Sequence, residues 1–126
     1  MYYLGLQREV IASHYLIGIE SGPESLPHAH RYTVKLILSG QHLNRDGYLI
    51  DLDALAPLVD SCIARYRDRI LNELPEFKDR NPSIEALARI LWEALAESIP
   101  AADLDALEVN VAEDDKGWAA FGKPLG

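Results

Sequence analysis

Three histidines carry the chemistry most directly legible in this chain. His28 and His30 stand two residues apart in SLPHAHRYTVKLIL, residues 25–38, and His14 closes an earlier alternating run. From His28 the even positions read His28, His30, Tyr32, Val34, Leu36 and Leu38, and the odd ones Ala29, Arg31, Thr33, Lys35, Ile37 and Ser39. A period of two is that of a half-buried strand. Residues two apart on one face lie about 6–7 Å apart, near enough for two imidazoles to close on one ion. Val10, Ala12 and His14 share a face of the earlier run. Three convergent imidazoles with no cysteine beside them suit a zinc ion that keeps its fourth position open. An isolated His-x-His is also common as a satisfied strand pair. Three histidines on core-facing positions, however, would need a partner for each ring nitrogen. His42, in a polar loop, reads as a solvated surface residue.

The elements that must position these groups follow from the rest of the chain. Residues 2–16 read as a first strand interrupted by Gly5, with Tyr2, Leu4, Leu6, Val10, Ala12 and His14 on one face and Arg8 as the exception. GIESGPESLP, residues 18–27, holds two glycines and two prolines and reads as a loop. It joins the two histidine-bearing strands, so its acidic residues Glu20 and Glu24 can hang over the metal. After the strand from His28 to Leu38, Asp46-Gly47 signals a turn and Tyr48 to Ile50 a short returning strand.

Asp51 and Asp53 are candidate caps for a first helix. Pro57 is tolerated only near the first turn, which favours Asp53. Leu52, Leu55, Val59, Cys62, Ile63 and Tyr66 repeat at three- and four-residue steps and form its apolar stripe. Cys62 on that stripe reads as an inert core thiol. Residues 72–80, NELPEFKDR, break the pattern as a loop. Asn81-Pro82 then starts a second helix, with Asn81 as cap and proline at the first helical position. Ile84, Leu87, Leu91, Leu95 and Ile99 form its stripe, with Ala88 and Trp92 beside it, and Pro100 stops it. Leu107, Val109 and Val111 alternate with Glu108 and Asn110 in a last long strand, whose apolar face Glu113 continues. The tail turns at Lys116-Gly117 and offers an edge strand through Trp118 and Phe121.

Two adjacent amphipathic helices on one face of an antiparallel sheet make an α+β domain spanning residues 1–126. The other face and the edges of the sheet need cover, which favours self-association. Hydrophobic content of 48% and charged content of 25% are ordinary for a soluble globular protein. No stretch has the length of a membrane span or the layout of a signal peptide, so no membrane role is expected. One cysteine, Cys62, excludes an internal disulfide and fits a reducing cytoplasm. A net charge of −8 argues against nucleic acid as a partner. An anionic ligand would need a local basic patch, for which Arg65, Arg67 and Arg69 are the candidate.

Taken in order, these motifs resemble the 6-pyruvoyl tetrahydropterin synthase family, which includes the 6-carboxytetrahydropterin synthases of the queuosine pathway. Ile11-Ala12-Ser13-His14 stands where the family has an Ala-Ala-His-like strand end, and His28-Ala29-His30 stands for its His-Gly-His. Gly47-Tyr48-Leu49-Ile50-Asp51-Leu52 resembles Gly-x-x-x-Asp-Phe. Residues 81–88, NPSIEALA, resemble Asn-Pro-Thr-x-Glu-Asn-Leu-Ala, and Val111-Ala112-Glu113 stands where a strand ends in Glu-Thr. The resemblance covers nearly the whole chain. It implies a T-fold, in which sheets join into a trimeric barrel with helices outside, two trimers often stack, and active sites lie at subunit boundaries. It also implies zinc held by His14, His28 and His30, and a pterin anchored by Glu113. A pterin presents a ring N–H and an amino group side by side, matching two carboxylate oxygens. Ser83 and Glu85 fall where the second helix approaches the pterin, although Glu85 also complements the helix N-terminus.

The chain departs from the family pattern at two places. The family's loop cysteine, a general base, is absent, and Glu24 stands four residues before His28, the spacing of that cysteine in queuosine-pathway members. The assisting Asp-His pair falls at Arg67-Asp68, so Asp68 takes the histidine's place and Arg67 the aspartate's. One reading makes Glu24, or in competition with it Glu20, the base for lyase chemistry on a dihydroneopterin-type side chain, with Arg67 toward a phosphate. A branch of the family with glutamate in this role yields 6-hydroxymethyl-dihydropterin, a folate precursor. A second reading keeps zinc and pterin binding without synthase chemistry, and a third is a structural oligomer with no small molecule.

Overall fold

A computed structural model describes residues 1–18, 22–100 and 103–126. Four antiparallel strands lie in sequence order: β1 (Tyr2–His14), β2 (His28–Gly40), β3 (Ala106–Ala112) and β4 (Ala119–Pro124). Two helices, α1 (Leu52–Ala64) and α2 (Ile84–Ser98), fall between β2 and β3. The architecture is therefore the expected α+β layer of helices on an antiparallel sheet.

The period-two pattern sorts the two sheet faces as read. Val10, Ala12, Tyr32, Val34, Leu36, Leu38, Leu107, Val109 and Val111 are buried beneath the helices. From α1 come Leu55, Val59 and Ile63, and from α2 Leu87, Ala88, Leu91, Trp92 and Leu95. Burial of that many apolar side chains is the main term holding the layers together, about 1.5–3 kcal/mol for each large one. Trp92 fixes the α2–sheet distance, since its Nε1 donates to the Leu107 carbonyl over 2.7 Å and its ring meets Phe121 edge-on. Cys62 packs half-buried against this core, and burial pushes its thiol pKa up, as an inert role requires. Arg8, the exception in the β1 pattern, reaches Asp60 of α1 at 2.6 Å.

Several boundaries differ from the sequence reading. β1 runs unbroken through Gly5, which pairs with Ile37, and stops at His14 rather than residue 16. Beyond it the chain is held by side chains: Asn72 exchanges two hydrogen bonds with the Tyr15 backbone, and Asn81 accepts from Ile17 N–H at 2.6 Å. Asn81 is thus engaged across the chain, and the α2 cap is Ser83, whose hydroxyl accepts from Ala86 N–H. Asp51, not Asp53, caps α1, which leaves Pro57 inside the helix. Residues 48–50 form no strand. Asn44 closes the turn around Gly47 by accepting from the Asp46 and Tyr48 amides, and Leu49 folds onto Gly40, where a Cβ would lie 2.7 Å from its Cδ1. β4 begins at Ala119, one residue past Trp118. Residues 71–73 and 75–77 form two short 3-10 turns within the expected loop.

The sheet face away from the helices carries Gln7, Glu9, Arg31, Thr33, Lys35, Glu108 and Asn110. Along the outer edge of β1, Asp68 N–H donates to Ile11 and Ser13 N–H to Arg69, so residues 68–70 flank the last turn of that strand.

Candidate metal centre and ligand cleft

Antiparallel pairing brings the three histidines together because of register. His14 sits directly opposite His28, and Ala12 opposite His30, so all three imidazoles project from the helix-side face at one end of the sheet. Their ring centroids are 4.6 Å, 4.9 Å and 5.1 Å apart, and one ligand nitrogen from each lies within 4.8 Å of the others. His14 is buried and the other two are half-buried. Burial, ahead of the opposing Pro82 hydrogen bond, lowers the pKa of His14 and keeps it a neutral donor.

The second ring nitrogens fix which atom is free. His14 Nδ1 lies 2.9 Å from the Pro82 carbonyl and His28 Nδ1 2.9 Å from the Leu26 carbonyl. A carbonyl can only accept, so these contacts assign the proton to Nδ1 and leave Nε2 as the donor atom. Tyr32 supports the pair from below, edge-on to both His14 and His30, with its hydroxyl 3.1 Å from His14 Nδ1. Its pKa is pushed far up by burial. Two imidazoles with carbonyl-fixed tautomers and a third, His30, beside them fit a divalent metal ion.

Glu113 follows the last residue of β3 and keeps the facing of Val111. Its Oε2 is 3.9 Å from His14 Nε2 and 3.8 Å from His30 Nε2, so the carboxylate turns inward although the strand has ended. From the other side, the 3-10 turn Pro23–Ser25 carries Glu24, whose carbonyl accepts from Leu16 N–H at 2.7 Å. These groups line a cleft of about 690 Å³ with Leu16, Pro23, Ser83, Ile84 and Glu85. Glu20 lies outside the described residues.

Other residues named from sequence fall elsewhere. Asp68, at a positive φ of 59°, and Arg67 line a separate cleft with Glu9, Val10, Ile11 and Arg31. Two members of the expected basic patch are engaged: Arg67 in that separate cleft and Arg65 on a carboxylate. Arg65 is bound through both Nε and Nη2 to Glu76 at 2.6 Å, and Tyr66 donates to the same carboxylate. Residues the sequence reading missed are Asn72, Pro82 and Tyr32. The first two act through a side-chain amide or a carbonyl, which no motif marks. Tyr32 is legible on the histidine face from its even position, but no motif assigns it a role there.

A family model described as 6-pyruvoyl tetrahydropterin synthase matches residues 4–124. Over 94 residues the chain is 26% identical to the 6-carboxy-5,6,7,8-tetrahydropterin synthase of Bacillus subtilis, covering 71% of this chain and 62% of that relative. It therefore spans less than two thirds of the relative's length. The structure is similar to 6-pyruvoyl tetrahydropterin synthase from Plasmodium vivax, with a TM-score of 0.77 at 18% identity over 99% of this chain and 100% of that one. The Caenorhabditis elegans synthase gives 0.79 at 20% identity, covering 96% of each. At such identities the likeness shows the fold, a T-fold subunit.

Proposed function

This chain belongs to the 6-pyruvoyl tetrahydropterin synthase family, and we propose that it binds a reduced pterin beside a zinc ion and acts as a lyase on the pterin's side chain. His14, His28 and His30 would hold the zinc. The observation that carries the reading is the inward Glu113 carboxylate, within 4 Å of two ligand nitrogens and on the wall of the same cleft. A half-buried carboxylate needs hydrogen-bond donors. The pterin's adjacent ring N–H and amino group supply two, and Glu113 thereby orients the heterocycle. Ser83 lines the same cleft, and its hydroxyl, which accepts from Ala86 N–H, can still donate to the ring or its substituents.

Bound zinc supplies Lewis-acid polarisation of a side-chain hydroxyl. Glu24 then has the role of base: it lies on the cleft wall and its backbone is anchored to Leu16, so its carboxylate can accept a proton from the substrate side chain. A related precedent supports glutamate here, since a glutamate of the Plasmodium vivax synthase is named a catalytic residue. The outer edges of β1, up to the segment that residues 68–70 cover, and of β4 run in opposite directions, so neighbouring subunits can join them antiparallel into a closed trimer or a stacked hexamer. Residues 67 and 68 flank the β1 edge, and in such a ring Arg67 and Asp68 would face a neighbour's cleft, where Asp68 assists the base.

A second reading, pterin and zinc binding without turnover, rests on the separation of Arg67 and Asp68 from the cleft within one chain. Zinc-loaded protein incubated with dihydroneopterin and its triphosphate, followed by product analysis, decides between the two. A truncated side chain supports the lyase. Intact ligand with tight binding supports the binder, and no binding removes both.

A further inference from the structure

The outer edge of β1 keeps its hydrogen-bond ladder beyond the end of the strand, but the partner changes from backbone to side chain. The Ile11 carbonyl accepts from Asp68 N–H, and Ser13 N–H donates to the Arg69 carbonyl. The chain then coils into the short turn Leu71–Glu73, which carries Asn72. From there asparagine side chains continue the ladder at the next odd positions. Asn72 Oδ1 accepts from Tyr15 N–H at 3.0 Å while its Nδ2 donates to the Tyr15 carbonyl at 2.9 Å. Asn81 Oδ1 accepts from Ile17 N–H at 2.6 Å, with its Nδ2 at a looser 3.5 Å from the Ile17 carbonyl. A primary amide offers the same donor and acceptor as a peptide group, so each asparagine stands in for one residue of a missing strand.

What this surrogate strand supports lies on the opposite edge. Leu16, between the two clamped residues, donates its N–H to the Glu24 carbonyl at 2.7 Å. The 3-10 turn Pro23–Ser25 is otherwise closed on itself, with Ser25 N–H and its hydroxyl both donating to the Gly22 carbonyl. Among the described residues, the Leu16 bond is the one backbone tie between that turn and the continuation of β1. Leu16 and Glu24 both line the ligand cleft, whereas Ile17 is exposed and Tyr15 only half-buried, so core burial does not account for the clamp. Resting on the lyase reading above, we infer that Asn72 and Asn81 are positioning residues for the base. They fix residues 15–17 as an extended limb, and through Leu16 they set Glu24 at the cleft. Asn81 does so one residue before Pro82, whose carbonyl orients His14, so the base loop and a metal ligand are held from adjacent residues. Neither asparagine lines the cleft itself.

The test is a double-mutant cycle on the zinc-loaded, full-length protein. Asn72→Ala should lower the turnover number on dihydroneopterin by about 10–100-fold, the cost of a displacement on the order of 1 Å at the reacting groups. Zinc content and dihydroneopterin affinity should stay at wild-type levels. In the Glu24→Gln background the same substitution should cost less than about twofold, because the base it positions is already gone. Hydrogen exchange followed by NMR gives a readout independent of turnover. The Leu16 amide should exchange about tenfold faster or more in Asn72→Ala, with the amides of β2 and α2 unchanged. Asn81→Ala, at an exposed side chain, should shift both readouts in the same direction, and it carries the test where Asn72→Ala does not fold. Leu16 exchange at the wild-type rate, or equal losses of turnover with and without Glu24, overturns the inference and leaves the lyase reading standing. Intact dihydroneopterin after incubation with the wild-type protein removes the lyase reading instead, and Leu16 exchange alone then decides whether the clamp holds the limb.

Discussion

His14 Nδ1 lies 2.9 Å from the carbonyl oxygen of Pro82, a residue 68 positions away in sequence. The contact ties the buried histidine at the end of β1 to the residue just before the α2 cap, Ser83. It orients the ring so that Nε2 faces His30 and Glu113, and it joins the metal centre to the wall of the ligand cleft. Displacement of α2 would move the ring, and loss of the ring would loosen that wall.

Metal removal should be visible in stability and composition. The protein is expected to bind close to one zinc per chain and to lose thermal stability on chelation, because an ion that binds only the folded state adds to its stability. His28→Ala or His30→Ala should weaken zinc by more than about 100-fold, beyond the loss of a supporting group. His42→Ala should leave it intact, since His42 is exposed at the far end of β2. Stoichiometric zinc in the His28 or His30 variant would remove the three-histidine site.

Glu113→Gln separates anchoring from metal binding. Loss of hydrogen bonds to a charged acceptor is worth about 1.5–3 kcal/mol, so pterin affinity should fall by roughly 10–100-fold. Zinc content should stay at the wild-type level. Equal losses of zinc and pterin would instead make Glu113 part of the metal site.

Glu24→Gln keeps size and hydrogen bonding but removes the base. Turnover of a dihydroneopterin-type substrate should drop by about 10²–10⁴-fold, the usual contribution of a general base. Pterin affinity and zinc content should hold. Single-turnover rates equal to wild type would eliminate Glu24 from the role.

The Arg65–Glu76 pair gives a pH signature. Hydrogen bonding to Arg65 pulls the Glu76 carboxyl from 4.5 down to about 2. A depressed folded-state pKa contributes stability that is full above the unfolded value near 4.5 and fades as pH falls toward 2. Glu76→Gln should therefore cost about 1 kcal/mol at pH 7, a modest figure because the pair is partly exposed. The gap to wild type in denaturant midpoints should shrink below pH 4.5. A constant gap at every pH would contradict this linkage.

Sequence alone determined which side chains share a face. Alternation along residues 2–16 and 28–38 is a local property, so His14, His28, His30 and the buried valines and leucines could be assigned to one side of the sheet. Three- and four-residue spacing likewise marked the stripes of α1 and α2, and Glu113 was placed by extending the parity of Val111. Tertiary structure decided whatever depends on a partner distant in the chain. Asn81 looked like a cap because caps are local, but its amide serves Ile17 and the cap passes to Ser83. Arg65 looked available for an anion until folding set Glu76 against it. Tyr48 to Ile50 carry strand-forming residues, yet Asn44 takes the Tyr48 amide into a turn. Periodicity reports how a segment meets a surface, whereas hydrogen-bond and ion-pair partners exist only once separate segments have packed.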